Sequence, residues 1–144
     1  MNIKNPTGTV LYSIEQAIKE YRKISLKNIS KIAKDITVDQ CLILMILHND
    51  ATIYQNELAN LIFKDKASVT RMIELMVKKG YLIRTIDTED RRKFNLEVTN
   101  KGKKTLELLN PVIKLNRETA LNGLSLEEIV LLDKMLNRII NNCK

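Results

Sequence analysis

Apolar residues recur at Val10, Leu11, Ile14, Ile18, Tyr21 and Ile24, a helical spacing that predicts a long first helix. Thr37-Val38-Asp39-Gln40 reads as a capping box, in which the Thr hydroxyl accepts from the Gln40 amide and the Gln40 side chain reaches back. The apolar run 42–47 then predicts a largely buried second helix. A third helix is expected over 55–62, followed by a short turn at Phe63-Lys64-Asp65. Asp65 can N-cap a fourth helix running to Lys79. Gly80 suits its left-handed C-cap, and Lys78 and Lys79 suit its dipole.

After Gly80 the period changes from helical to alternating. Residues 82–86 predict one strand, and Phe94, Leu96 and Val98 alternate with Lys93, Asn95, Glu97 and Thr99 to predict a second. The tip between them, Asp87-Thr88-Glu89-Asp90-Arg91-Arg92, is charged and holds no Gly, so a loop longer than a two-residue turn is expected. The chain then reads as helix from 100 to about 122, with Pro111 expected to kink or break it and Asn122-Gly123 to end it. Ser125-Leu126-Glu127-Glu128 is a second capping box. It opens a last helix with apolar Leu126, Ile129, Val130, Leu132, Met135, Leu136, Ile139 and Ile140. The fold class that follows is mainly α with a small β-hairpin wing (α+β): a helix pair followed by a hairpin, the order of a winged helix-turn-helix. One domain is expected over 1–144, with the winged helix-turn-helix lobe at 37–99 between helical segments 1–36 and 100–144.

Composition narrows the function. A hydrophobic fraction of 44% excludes general disorder, and an aromatic fraction of 4% without Trp implies a core of Ile, Leu, Val and Met. No apolar run approaches the ~18 residues of a membrane span. The polar start Met1-Asn2-Ile3-Lys4-Asn5 is not that of a signal peptide, so a cytoplasmic location and no membrane partner are expected. The net charge of +7 favours a polyanionic partner. Over 64–93 there are nine Lys/Arg against five Asp/Glu, a local rather than a terminal enrichment.

On a wheel of about 100° per residue, Val69, Met72, Ile73, Met76 and Val77 share one face of the fourth helix and are expected in the core. Ala67, Ser68, Thr70, Arg71, Glu74 and Lys78 lie on the other side, with Lys66 opening the helix. Small residues, hydroxyls and cations let a helix enter the major groove closely and reach base edges and phosphates. The same face taken alone could be merely solvated. A following hairpin tip with Arg91, Arg92 and Lys93 and no apolar anchor favours the DNA reading. Arg is drawn into a narrow minor groove, and Asp90 can aim it by a charge-assisted bond. Arg84 completes the candidate DNA-binding set.

Four blocks carry a resemblance: Ala67-Ser68-Val69-Thr70-Arg71, Lys79-Gly80-Tyr81-Leu82-Ile83-Arg84, Asp90-Arg91-Arg92 and Val98-Thr99-Asn100-Lys101-Gly102. In order and spacing the chain resembles the MarR family of bacterial regulators over nearly its whole length. The resemblance implies a homodimer joined by its N- and C-terminal helices, on double-stranded DNA with a pseudo-palindromic operator. It implies that the fourth helix lies in the major groove and Arg92 in the minor groove, with Asp90 orienting it. Ser68, Thr70 and Arg71 would face bases and phosphates. It also implies an effector pocket between the dimer helices and the DNA-binding lobe, which Tyr12 and His48 could line. The chain departs from the family where Tyr54, rather than Ser or Thr, opens the third helix. It also lacks the reactive Cys that peroxide-sensing members carry near the first helix.

The remaining chemistry is sparse. Cys41, beside the apolar run of the second helix, reads most simply as a small buried residue, with a thiol sensor as the sharper alternative. Cys143, next to the C-terminus, is expected to be exposed, and neither cysteine is expected to form a structural disulfide. His48 with Cys41 supplies too few ligands for a closed metal site, so no metal and no cofactor are expected. Nothing forms a nucleophile–His–acid set, a Gly-rich phosphate loop or an HExxH motif, which excludes the common enzyme classes. The reading that results is a sequence-specific transcriptional regulator, a repressor released by a small molecule or an oxidant. Its rival is a winged-helix protein-interaction scaffold without specific DNA binding.

Overall fold

The computed structural model describes residues 3–144; Met1 and Asn2, the start of the polar N-terminus considered above, lie outside the described residues. A 3-10 turn, Pro6–Gly8, precedes six helices and one hairpin. They run in the order α1 (Val10–Ile29), α2 (Val38–Asn49), α3 (Gln55–Leu61), α4 (Lys66–Lys78), β1 (Leu82–Ile86), β2 (Phe94–Val98), α5 (Asn100–Ala120) and α6 (Leu126–Asn142).

Side-chain caps start most of these helices, at Thr37 and Ser125 as the sequence predicts and at Thr9 and Thr99 besides. Thr9 accepts from the Tyr12 amide at 3.3 Å to open α1, and Thr37 and Gln40 form the reciprocal box of α2. Ser125 and Glu128 form that of α6. Thr99 accepts from the Gly102 amide at 3.1 Å and donates its own hydroxyl to the Gly80 carbonyl, so the cap of α5 is also its tie to the end of α4. Gly80 adopts φ 84°, which lets the chain reverse from α4 into β1.

The core runs from Ile29, at the end of α1, to Ile113 of α5. Ile43 and Leu44 of α2, Leu58 of α3, Ile73 and Met76 of α4 and Leu109 of α5 are completely buried. Burying such a side chain stabilises the fold by roughly 1.5–3 kcal/mol, so these six anchor the core shared by α2, α3, α4 and α5. β1 and β2 pair antiparallel from Leu82↔Val98 to Ile86↔Phe94, and Leu82, Leu96 and Val98 seal the hairpin base onto the core. α1 lies against α5, where Asn28 donates to the buried Asn116 at 2.7 Å.

Two expectations are corrected. The helix at Pro111 does not break: α5 runs unbroken from Asn100 to Ala120. Pro111 lies on the exposed side, where the Glu107 carbonyl it leaves without a donor can turn to water, while Leu106, Leu109 and Ile113 hold the opposite side in the core. Val77, assigned to the core face of α4, is 36% exposed. The buried stripe is the narrower set Val69, Ile73 and Met76 with Met72 half-buried, because only the tilted 3- and 4-residue ridge meets the lobe.

α6 buries none of its residues, and Leu126, Val130, Leu131 and Met135 stand open on it. Val10, Leu11 and Ile18 of α1 and Leu108 and Leu115 of α5 are exposed as well. Among the described residues no helix is long and apolar enough to cross a membrane.

Candidate nucleic-acid interface

The turn into α4 is built around Asp65. Its Oδ1 accepts from the Ser68 amide at 2.8 Å and its Oδ2 from the Ser68 hydroxyl at 2.7 Å. The Ser68 amide is the first cause that holds the Asp65 carboxyl below its ordinary pKa. Ser68 Oγ in turn accepts from the Arg71 guanidinium at 3.3 Å, which lays Arg71 along the exposed first turn of the helix. Lys66, Ala67, Arg71 and Lys78 are exposed on α4, while Ser68 and Thr70 are half-buried.

Thr70 is the site residue most engaged by the protein itself. Its hydroxyl donates to the Lys66 carbonyl at 2.8 Å and accepts from Gln55 Nε2, on α3, at 3.2 Å. Arg84 is likewise occupied: half-buried on β1, it places its guanidinium carbon 4.8 Å from the centre of the Phe94 ring.

The wing tip, residues 87–93, is folded by two carboxylates. Asp87 Oδ1 accepts from the amides of Glu89 at 2.9 Å and Asp90 at 3.0 Å, and the loop closes where the Asp87 amide donates to the Lys93 carbonyl at 3.0 Å. Asp90 Oδ1 accepts from the Arg92 amide at 3.0 Å and from Arg92 Nε at 3.2 Å. These amides lead the causes that keep both carboxyls below their ordinary pKa, so both are charged at neutral pH. Arg91 and Arg92 are exposed, and the terminal guanidinium nitrogens of Arg92 have no partner among the described residues.

Two residues that sequence reasoning did not place in the site belong to its scaffold. Tyr54, at the N-cap of α3, makes no side-chain cap; the Glu57 carboxylate accepts from its amide instead, at 3.2 Å. The freed phenol donates to Asp87 Oδ2 at 3.2 Å, and the Lys93 ammonium lies 4.6 Å from the ring centre. The one signal in the sequence was the mismatch itself, a large aromatic where a short hydroxyl is usual. Asp39, in the first turn of α2, carries both Arg22 of α1 and, at 3.8 Å, Lys64 of the turn before α4.

Residues 36–94 match the MarR family profile. The HTH-type transcriptional regulator YybA of Bacillus subtilis strain 168, itself uncharacterised, is 30% identical over 118 residues, which cover 82% of this chain and 79% of YybA. The chain belongs to the MarR family. It is a transcriptional regulator of that family and not an enzyme. Its fold is shared with a mutant of E. coli MarR complexed with operator DNA, at TM-score 0.84 and 21% identity over 96% of this chain and 99% of that one. Bordetella bronchiseptica BpsR, whose DNA binding is regulated by 6-hydroxynicotinic acid, shares it too, at TM-score 0.84 and 20% identity over 96% and 97%.

The other MarR-family expectations concern the effector. Tyr12 is 40% exposed near the start of α1, and His48 is exposed near the end of α2. One shallow hollow runs along Leu126, Val130 and Leu131 and another lies against Ile83, Thr85 and Asn95; Tyr12 and His48 line neither. Cys41 is buried, 4.0 Å from the Met45 sulfur, and burial pushes its thiol up to about 11. A thiol of that pKa is almost wholly protonated at neutral pH and reacts slowly with oxidants. Cys143 is exposed.

Proposed function

We propose that this MarR-family regulator binds a pseudo-palindromic operator in double-stranded DNA as a homodimer and represses transcription until a small molecule releases it. The observation that carries the reading is the pairing of an exposed, small-and-basic face of α4 with a wing whose Arg92 is already aimed by Asp90. Lys66, Ser68, Thr70, Arg71 and Lys78 would line the major groove, and Arg91 and Arg92 the flanking minor groove. Arg84 would act from behind, steadying the hairpin through Phe94 and adding positive potential.

The winged helix-turn-helix lobe is residues 37–99, and 1–36 with 100–144 supply the dimer helices. The bare apolar stripe of α6 and the exposed apolar residues of α1 and α5 support this division, since so much apolar surface rarely stays open in a monomer. Dimer geometry would set the half-site spacing, near one helical turn of about 34–36 Å.

Release would follow from a ligand that favours a different spacing of the two lobes. The shared Asp39 carboxylate supports such coupling, because it joins α1, whose first turn carries the candidate effector residue Tyr12, to the turn that precedes α4. The high pKa of Cys41 favours a small molecule over an oxidant as the signal. The site of action would be the cytoplasm, with the DNA.

The test is fluorescence anisotropy on DNA from upstream of the chain's own gene against a shuffled duplex, at two salt concentrations. A preference of about 10³-fold or more establishes a specific regulator. Equal and steeply salt-dependent binding to both points to an operator elsewhere, and no binding at low salt overturns the reading in favour of a protein-interaction scaffold.

A further inference from the structure

We infer that Tyr54 is a wing-positioning residue, which fixes where Arg92 stands relative to α4 before DNA arrives; the inference rests on the DNA-binding reading above. Asp87 and Lys93 are the two residues at which the strands give way to the tip, and Tyr54 holds both from the helix side. Its phenol donates to Asp87 Oδ2 at 3.2 Å, and its ring faces the Lys93 ammonium at 4.6 Å. The other oxygen of Asp87 holds the amides of Glu89 and Asp90, and Asp90 holds Arg92. An unbroken series of bonded groups thus runs from the N-cap of α3 to the wing arginine. The neighbouring Gln55 donates to Thr70 on α4 at 3.2 Å, so the groove-facing helix and the wing are both referenced to the dipeptide Tyr54-Gln55.

The chemistry of the pair suits a lasting tether. Asp87 raises the Tyr54 pKa, so the phenol keeps its proton and remains a donor across the neutral range. The seven-residue tip has no apolar residue to anchor it, and Phe94 at its base is engaged with Arg84. Without Tyr54 the tip keeps its internal turns and the Asp90–Arg92 bond, but its position relative to α4 must be fixed by DNA at the moment of binding, at a cost in affinity.

The decisive variants are Tyr54→Phe, which keeps the ring under Lys93 and removes only the hydrogen bond, and Tyr54→Phe combined with Arg92→Ala. Tyr54→Phe is expected to keep the thermal midpoint and the dimer. It should speed tryptic cleavage after Arg91 and Arg92 severalfold and weaken operator binding about 3- to 10-fold, the range of one hydrogen bond. In the Arg92→Ala background the same change should cost under about twofold, because the residue through which it acts is gone. An equal loss in both backgrounds, or unchanged tryptic cleavage, overturns the inference. If Arg92→Ala alone leaves DNA affinity intact, the DNA role of the wing fails, and the tryptic rate still decides whether Tyr54 holds it.

Discussion

The Asp90 carboxylate holds one residue twice: Oδ1 accepts from the Arg92 amide at 3.0 Å and from Arg92 Nε at 3.2 Å. The first bond bends the chain at the tip, and the second aims the side chain that the bend presents. Arg92 is otherwise 92% exposed, and a free arginine loses about 2 kcal/mol of rotamer entropy when a groove immobilises it. On the proposed reading, part of that loss would be met in folding, which would leave more of the electrostatic attraction for DNA.

Arg92→Ala should therefore weaken operator binding by roughly 1–3 kcal/mol, lower the salt slope by about one unit and leave the dimer intact. Asp90→Ala should cost less than Arg92→Ala, since the charge on Arg92 survives while its aim and one bond that bends the tip are lost. Anisotropy titrations at three salt concentrations, with sedimentation as the check on assembly, measure both. Unchanged affinity in a folded Arg92→Ala dimer would remove the wing from the mechanism.

The junction of the hairpin with α5 makes a second prediction, on stability. A Cβ at Gly102 would stand 2.7 Å from the Tyr81 carbonyl oxygen and 2.7 Å from Val98 Cγ1. The Tyr81 carbonyl cannot retreat freely, because it accepts from the Thr99 amide at 3.1 Å. Helix propensity favours Ala over Gly by about 1 kcal/mol, but overpacking against backbone costs about 1–3 kcal/mol. Gly102→Ala is expected to lower the thermal midpoint. A raised midpoint would mean that the junction has slack the distances do not reveal.

Much of this architecture was legible in the chain. The change of period after Gly80, the capping boxes at Thr37 and Ser125 and the alternation at Phe94, Leu96 and Val98 are local signals, and the elements follow them closely. Misses occur where a distant neighbour decides. Pro111 is tolerated because its side of α5 faces outward, and Val77 is exposed because α4 meets the lobe along a narrow stripe. The candidate DNA-facing residues were chosen by type, which could not disclose that Thr70 is bonded to Gln55 and Arg84 stacked on Phe94. Tyr54 and Asp87 lie 33 positions apart, and no periodicity links them.

A pH prediction follows from Tyr81 and Asp35, whose side chains meet at 2.8 Å between the end of α4 and the α1–α2 connection. Burial, then the bond to Asp35, pushes the Tyr81 phenol up to about 12, and that same bond leads the causes that lower the Asp35 pKa. The raised phenol contributes stability fully present below its unfolded value of about 10, and this is lost as pH rises through about 12. The lowered carboxyl contributes stability present above about 4 and lost as pH falls through its folded value. Tyr81→Phe should lower the denaturation midpoint at pH 7 and flatten both limbs of its pH profile. A parallel downward shift with both limbs unchanged would show that the pair is not titrating as a unit.

Phe63 makes the sharpest stability prediction. It takes φ 60° in the turn between α3 and α4, the only positive φ of a non-glycine residue among those described, and it is 91% exposed. That conformation costs a side-chain-bearing residue roughly 1–2 kcal/mol, and so exposed a ring recovers little of this by packing. Glycine adopts the turn without strain but loses more backbone freedom on folding, by about 0.5–1 kcal/mol. Phe63→Gly is therefore expected to raise stability by about 0.5–1 kcal/mol in urea denaturation, with α4 and its Asp65 cap unchanged. A clear loss would mean that the ring is covered in the assembled protein, and repeating the denaturation over a range of concentrations would show whether a second subunit covers it.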